Sequence, residues 1–284
     1  MKFPVEMMCK VLSVSKSGYY YWLRASPSNL WLENQKLGGL IKSIFETSYQ
    51  SYGAPRIKSE LEAMGYKVSK PRVARMMRAN YLFAKRRRKF KATTDSSHNY
   101  PIAPNLLNQC FDVDRENQVW VSDITYIRTK QGWLYLTVII ELFNRKVIGW
   151  ALSSKLSTKD TIVKAWDMAI KNTELTQPLI FHSDRGVQYA SQEFTALINN
   201  YNGLIKQSMS RKGNCWDNAV AESFFKSLKV EWVYAHKYKL KSEAELSIFQ
   251  WIETWYNHKR RHSFLGNRTI KEFEVDMYNK KLAA

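Results

Sequence analysis

Cysteine is scarce in this 284-residue chain: three occur, Cys9, Cys110 and Cys215. They cannot all pair, and no two stand as Cys-x-x-Cys. A disulfide framework and a cysteine-rich zinc site are therefore excluded, and a reducing cytoplasm is the expected compartment. Long apolar runs are missing too. The longest, residues 133–143, is interrupted by Glu141 and falls far short of the ~20 residues a membrane helix needs. The opening MKFPVEMMCK has no apolar segment ending in a small-residue cleavage site, so export is not expected. Acidic residues are few, 25 against 44 Lys and Arg, for a formal charge of +19. What is plentiful is apolar bulk. With 45% hydrophobic residues, including 10 Trp, 13 Phe and 16 Tyr, wholesale disorder is excluded and a large core can form. The length allows one large domain or two ordinary ones.

The positive charge is concentrated at the front. Residues 1–92 carry 19 Lys/Arg against 5 Asp/Glu, residues 93–220 carry 13 against 12, and residues 221–284 carry 12 against 8. A basic front end before a nearly neutral middle points to a polyanion, with nucleic acid the obvious partner. A solvated basic surface or an anionic-membrane patch is the blander alternative. The front reads as short helices: 5–12, 19–24, 35–48, a helix from Pro55 to about 64, and 70–80. Ser69 is expected to cap the last, with Pro71 in its first turn. There Val73, Met76 and Met77 make the apolar side while Arg72, Arg75 and Arg78 spread over another. With the preceding helix and the connector GYKVS, this resembles a helix-turn-helix whose second member faces DNA. The run KRRRKFK, with Arg86, Arg87 and Arg88, adds an arm suited to phosphate contact. Residues 93–110 are polar, aperiodic and contain two prolines, which reads as a linker. The basic front end is thus expected to be separable from the rest.

Residues 111–235 have an α/β order. Alternation over 118–129, the turn TKQG, an apolar strand 133–142 and a strand 146–152 predict three antiparallel strands. An amphipathic helix 158–171, the strand LIFHS, a helix 191–200, a strand near Ile205 and a helix 217–233 follow. The pattern implies a mixed sheet. Residues 236–284 read as a helical basic extension, with a helix 243–256 leading into HKRRH.

Three carboxylates turn this fold into chemistry. Asp123 sits mid-strand in WVSDITYI, where an unpaired carboxylate is costly and needs a cation, a donor or a proton. Asp184 follows LIFHS directly, at a carboxyl edge where α/β proteins place their sites. Glu222 lies on the helix that begins DNAVAESFFKSLK. Converging, the three would form an oxygen-only site suited to Mg²⁺, which supports phosphoryl transfer. Singly, each has a duller reading as a loop cap or a solvated helical residue.

The blocks WVSDITYI, FHSDRGVQYAS, SMSRKGNCWDNAVAESFFKSLKVE and YNHKRRHSFLG, with CKVLSVSKSGYYYW, SYGAPRI and VSKPRVARMM ahead of them, resemble the signature of one family. It is the OrfB-type transposases of bacterial insertion sequences, relatives of retroviral integrases with a DDE triad. The resemblance spans nearly the whole chain. It implies a ribonuclease H-like core and carries the triad onto Asp123, Asp184 and Glu222. It also implies Mg²⁺ (or Mn²⁺) dependence, cleavage at element ends and joining of the freed 3′-hydroxyl to target DNA. Further implications are a homo-oligomer in the synaptic complex, an OrfA-type partner or frameshift fusion, and a nucleoid-associated cytoplasmic location. This chain departs from the family in three places. Asp184 and Glu222 are separated by 37 residues where 35 is usual, Glu141 stands where Asp is common, and Ile270 replaces a usual Pro.

Residues near the three carboxylates carry structural readings beside functional ones. Arg185 and Gln188, just past Asp184, suit substrate contact or loop stabilisation equally. Lys226 and Lys229, four and seven residues beyond Glu222, return to its side of the helix at about 100° per residue and could meet DNA. His182 is read as a hydrogen-bonded strand-end histidine and Trp216 as core or helix-entry packing. Ser183 has no partnered base and is a poor nucleophile. Two alternatives stay open: a metal-dependent nuclease that does not join, and a silent transposase-derived regulator that only binds DNA.

Overall fold

The alternation over residues 118–129 forms β1 (Val119–Thr129), which folds back on β2 (Gly132–Glu141) as an antiparallel hairpin. Gly132 holds φ 104°, which an L side chain rarely adopts, so the tight turn depends on glycine. β3 (Val147–Ser153) pairs antiparallel with β2, while β4 (Leu179–Ser183) and β5 (Ile205–Met209) extend the other edge in parallel. The order β3-β2-β1-β4-β5 leaves β1 at the centre of a mixed five-stranded sheet, as the ribonuclease H-like expectation requires. Parallel pairing needs helical crossovers. α6 (Lys164–Lys171), entered through a π-helical turn Lys159–Val163, makes one; α7 (Val187–Ala190) and α8 (Gln192–Asn199) make the other. The computed structural model describes residues 3–85 and 100–283, so Arg86, Arg87 and Arg88 lie outside the described residues.

Side chains alternate across β1, and so do its partners. Trp120, with Ile139 and Phe181, packs on Trp166 of α6 and Phe194 of α8. Contact is close there: a Cβ on Gly149 would collide with the Ala165 carbonyl and with Ala169. Val121, Ile127, Leu136 and Val138 cover the other face against α9 (Ala219–Glu231) through Phe224, Phe225 and Leu228. α10 (Lys241–Gln250) continues as a π-helical segment Trp251–Tyr256, and α11 (Ile270–Ala283), not foreseen from the sequence, closes the chain.

The front end holds α1 (Val5–Val11), α2 (Lys16–Arg24), α3 (Asn29–Thr47), α4 (Ala54–Ala63) and α5 (Lys70–Ala79). Ser28 accepts from the Trp31 N–H and caps α3, which starts six residues ahead of the expected position. Ser69 accepts from the Arg72 N–H, and Pro55 and Pro71 occupy first turns, as expected. Separability fares differently. Leu37, Ile41, Ile57, Leu61 and Val73 belong to the same apolar cluster as Leu228, Trp251 and Trp255. Tyr49 edges both Trp232 and Trp255, and the Tyr52 hydroxyl accepts from the Arg261 N–H at 2.6 Å. The helical front end and the sheet share one core, so the expected clean separation is not what the chain does.

Within HKRRH, His258 and Lys259 are exposed, but Arg260, Arg261 and His262 are internal. Arg260 and Arg261 are each 4% exposed. Arg260 grips Glu231 with two hydrogen bonds, and Arg261 pairs with Glu60 of α4 and Glu272 of α11. Asn257 donates to and accepts from the Val147 backbone, finishing the edge of β3. Residues 100–110 have no helix or strand but are pinned to the core: Leu107 is buried, and the Leu106 N–H donates to Ser208 Oγ. Among the described residues no helix is long and apolar enough to cross a membrane.

Candidate active site

Register places the first two carboxylates. In the parallel β1–β4 pair, Val121 stands level with His182. Two residues further on, Asp123 continues β1 on the face turned toward α9, and Asp184 is the first residue past the end of β4, near enough for its charge to act on Asp123. α9 crosses that face with Phe224, Phe225 and Leu228 downward, leaving Glu222 beside the strand ends. Asn218, just ahead of α9, fixes this entry by donating from Nδ2 to the Ser122 carbonyl at 3.0 Å.

Electrostatics report the same proximity. Burial pushes the Asp123 carboxyl well up, and the negative charges of Asp184 and Glu222 push it further. The Ile124 N–H, donating to Oδ1 at 2.7 Å, and the Lys229 ammonium oppose the rise. Partial burial raises Glu222, against the pull of Lys226. Lys229 is lowered by its own burial and held up by Asp123. Lys229 therefore faces the first carboxylate of the cluster rather than solvent along the helix. Among the described residues no three acidic, histidine or cysteine side chains stand close enough to chelate an ion. The carboxylates share one field without sharing one coordination sphere. A divalent cation fits what the residues lack: oxygen donors with mutual repulsion in need of positive charge.

The loop after β4 is tightly fastened. Asp184 Oδ1 accepts from the Gly186 N–H at 2.9 Å, and a Cβ at Gly186 would crowd that same oxygen at 3.0 Å. Arg185 Nε donates to the Ser210 carbonyl at 2.6 Å and Gln188 Nε2 to the Leu156 carbonyl at 3.0 Å, so both stabilise the loop. On α5, Arg72 is engaged by Glu33 and Asn34 of α3, whereas Arg75 and Arg78 lie exposed. His182 is a buried, hydrogen-bonded strand-end residue between Ser208 and Ser210, and burial lowers it to about 4. Trp216 corrects an expectation: it is 71% exposed, not core. Glu141 is buried at the end of β2, where its carboxylate collects the N–H groups of Asn117 and Phe143 and the Trp120 indole.

Three residues escaped sequence reasoning. Asn218 is one. Tyr189 is another: it is fully buried, and its hydroxyl meets Ser122 Oγ at 2.8 Å. Its hydroxyl is raised by burial and then by the charges of Asp123 and Asp184, so it forms part of the floor of the site. The third, Asp217, accepts from Arg211, Asn105 and Gln109, and the Arg211 guanidinium holds its carboxyl far below the usual range. It locks the 210–218 loop that delivers α9. No local pattern marks them: Asp217 and Asn218 adjoin one another, and Tyr189 follows Gln188.

Known proteins match this architecture along its length. An HTH-like domain matches residues 32–90, and two integrase core domains match residues 113–215 and 204–269. The chain is 43% identical to an uncharacterized 31 kDa protein of insertion element IS600 from Shigella sonnei, over 92% of this chain and 94% of that protein. It is 40% identical to the transposase InsF for insertion sequence IS3A of Escherichia coli K12, over 99% of this chain and 96% of that one. Among solved structures, an HTLV-2 integrase catalytic core domain in complex with magnesium aligns over 55% of this chain and 95% of that one, at TM-score 0.41 and 21% identity. A simian T-cell lymphotropic virus intasome aligns over 74% and 70%, at TM-score 0.44 and 15% identity.

Proposed function

The chain belongs to the IS3-type insertion-sequence transposases, and on that premise we propose how its residues perform the reaction. It is a DDE-type DNA transposase that cuts at the ends of its element and joins the freed 3′-hydroxyl to target DNA. Asp123, Asp184 and Glu222 are its catalytic carboxylates and would hold Mg²⁺ or Mn²⁺ once drawn into one coordination sphere. The observation that carries this is that the charges of Asp184 and Glu222 both bear on the buried carboxyl of Asp123. A divalent cation held by these carboxylates would supply Lewis acidity for displacement at a phosphodiester.

The chain's own groups do the rest. Asn218 and the Asp217 cluster hold α9 so that Glu222 faces the strand ends. Ser122 and Tyr189 pack beneath the carboxylates and exclude water from that side. Lys229 offers a cation to the DNA backbone beside Asp123, and Lys226 does so beside Glu222. In cleavage, water attacks phosphorus; a P–O bond forms as the P–O3′ bond breaks, and the departing 3′ oxygen takes up a proton. Joining repeats the exchange with that 3′-hydroxyl as the nucleophile.

Residues 1–92 act as the DNA-binding helices, with Arg75 and Arg78 presented by α5 and Arg86, Arg87 and Arg88 forming the arm. Arg72 contributes by aligning α5 on α3, and Arg185 and Gln188 by shaping the loop beside Asp184. Residues 93–110 connect to the catalytic core, 111–235, and residues 236–284 tie core to front end. A homo-oligomer assembles on paired ends in the cytoplasm, with an OrfA-type partner or fusion. The test uses the full chain, the terminal DNA of its element and Mg²⁺. Asp123→Asn and Glu222→Gln should each abolish cleavage and joining while DNA binding persists. Near wild-type cleavage by either variant refutes the triad.

A further inference from the structure

Where α4, the β2–β3 turn, α9 and the segment after Tyr256 meet, a cavity of about 330 Å³ opens. Arg56, Arg145 and Arg260 line it, together with Ser223, Ser263 and Phe264, and no acidic side chain does. Arg260 is committed to Glu231, which Arg56 also approaches at 3.8 Å. Arg145 is different. It is only 7% exposed, its Nη2 donates to the Phe111 carbonyl, and its Nη1 is buried with no hydrogen-bond partner. Among the described residues Arg145 makes no ion pair. The closest acids in its field are Asp112, which is exposed, and Glu141, whose carboxylate is taken up by three N–H donors.

Burying a guanidinium without a carboxylate is costly, and an unpaired buried N–H adds to that cost. The backbone is strained as well: Arg145 holds φ 64°, a left-handed conformation that glycine or asparagine would adopt more cheaply. Three unfavourable features at one residue that lines a cationic cavity point to a compensating ligand, and a tetrahedral oxyanion matches a guanidinium fork. Phe264 marks the mouth. Its ring stacks 3.6 Å from the Arg145 guanidinium yet remains 51% exposed, so it offers an aromatic surface beside the anion position. Ser223, which follows Glu222 on α9, brings this cavity to within one residue of the catalytic helix face.

We propose that this cavity binds a phosphodiester of the DNA backbone, with Arg145 as its principal ligand and Ser223 and Ser263 at its rim. The proposal rests on the transposase reading for the identity of the polyanion; the cavity itself does not. A phosphate held here lies between the DNA-binding helices and Glu222, so it fixes the strand's path from one to the other.

The test measures binding of the full chain to terminal duplex DNA by fluorescence anisotropy over a salt series, for wild type, Arg145→Gln and Ser263→Glu. Ser263 is exposed and distant in sequence from the triad, so its variant should fold even if Arg145→Gln does not. Each variant should lower affinity and make the slope of log K against log salt shallower by about 0.9, the loss of one phosphate contact. In parallel, inorganic phosphate at constant ionic strength should raise the wild-type Tm and leave that of Ser263→Glu unmoved. Unchanged slopes in both variants overturn the proposal. If the wild type still cleaves its ends in that case, the transposase reading stands without it. A phosphate-dependent Tm rise with unchanged DNA slopes overturns the backbone assignment in favour of a free phosphorylated molecule.

Discussion

Replacing Glu231 by Gln tests whether the joint between front end and core is held by buried charge. Glu231 is the last residue of α9, and both it and Arg260 are almost fully buried. Arg260 donates to it from Nε at 2.8 Å and from Nη2 at 2.5 Å, with Arg56 of α4 a second cation nearby. Burial alone would lower the Arg260 guanidinium, but the Glu231 charge outweighs it and holds the group above its ordinary value. Glu231→Gln keeps the shape and removes the charge, stranding one buried cation and weakening the hold on another. Breaking such a pair from one side costs about 3–5 kcal/mol. At roughly 2–4 °C per kcal/mol for a domain of 150–250 residues, Tm should fall by about 6–20 °C. Because Arg56 approaches the Glu231 carboxylate from the front end, limited proteolysis between front end and core should proceed sooner in the variant. Glu231→Leu with Arg260→Met should recover most of the loss, since a well-packed apolar pair removes both desolvation penalties. A Tm within about 2 °C of wild type for Glu231→Gln would show that the pair contributes under ~1 kcal/mol and refute the reasoning.

Further outcomes follow from the site. His182 stays neutral down to about pH 4 because it is buried, whereas an unfolded histidine protonates near 6.5. Its contribution is therefore complete above pH 6.5 and is lost as pH falls toward 4, by roughly 3 kcal/mol in all. His182→Gln should flatten that part of the stability–pH curve in urea titrations; an unchanged slope would contradict it. Asp123 titrates above its unfolded value, so its ionised form opposes folding at neutral pH. Asp123→Asn should raise the metal-free Tm and erase any Tm gain from Mg²⁺, and a lower metal-free Tm would count against the carboxylate cluster. Lys229→Gln should slow joining about tenfold or more, the ~1.5 kcal/mol of one charge-assisted contact, with terminal DNA still bound. Gln is the cleaner choice because Glu would set another carboxylate beside Asp123. Full joining by that variant would remove Lys229 from the DNA path.

Much of this was legible from the residues. Period-two and period-3.6 patterns gave the five strands and most helices, because each sheet face and each helix stripe must bury its apolar side. Pairing was not legible. That Asp184 comes near Asp123 depends on β4 entering the sheet beside β1, which no local pattern encodes. α11 escaped because Ile270 is its only buried residue among 14, so it lacks an apolar stripe. Nor was the setting of the basic block HKRRH legible. A run of cations has the same composition whether it faces phosphate or buried carboxylates, and here Glu231, Glu60 and Glu272 come from three other elements. Trp216 misled because a tryptophan beside a helix start is usually packed.

Charge divides this chain, but folding does not, and the difference bears on how DNA recognition reaches the chemistry. α9 carries Glu222 near its start and Glu231 at its end, nine residues or about 13 Å apart along a rigid helix. At the far end Glu231 and Arg260 anchor Arg56, while Tyr52 and Glu60 engage Arg261. All three front-end residues lie on α4 or the turn before it, and α4 packs on α5, which presents Arg75 and Arg78. Among the described residues, every link from the exposed arginines to Glu222 is thus a packed contact or a helix. A flexible tether would let the front end bind any orientation of a DNA end and leave the core to find the scissile bond. Under the proposed function this arrangement predicts the opposite: the angle is fixed, and the choice of phosphodiester is made when α5 docks.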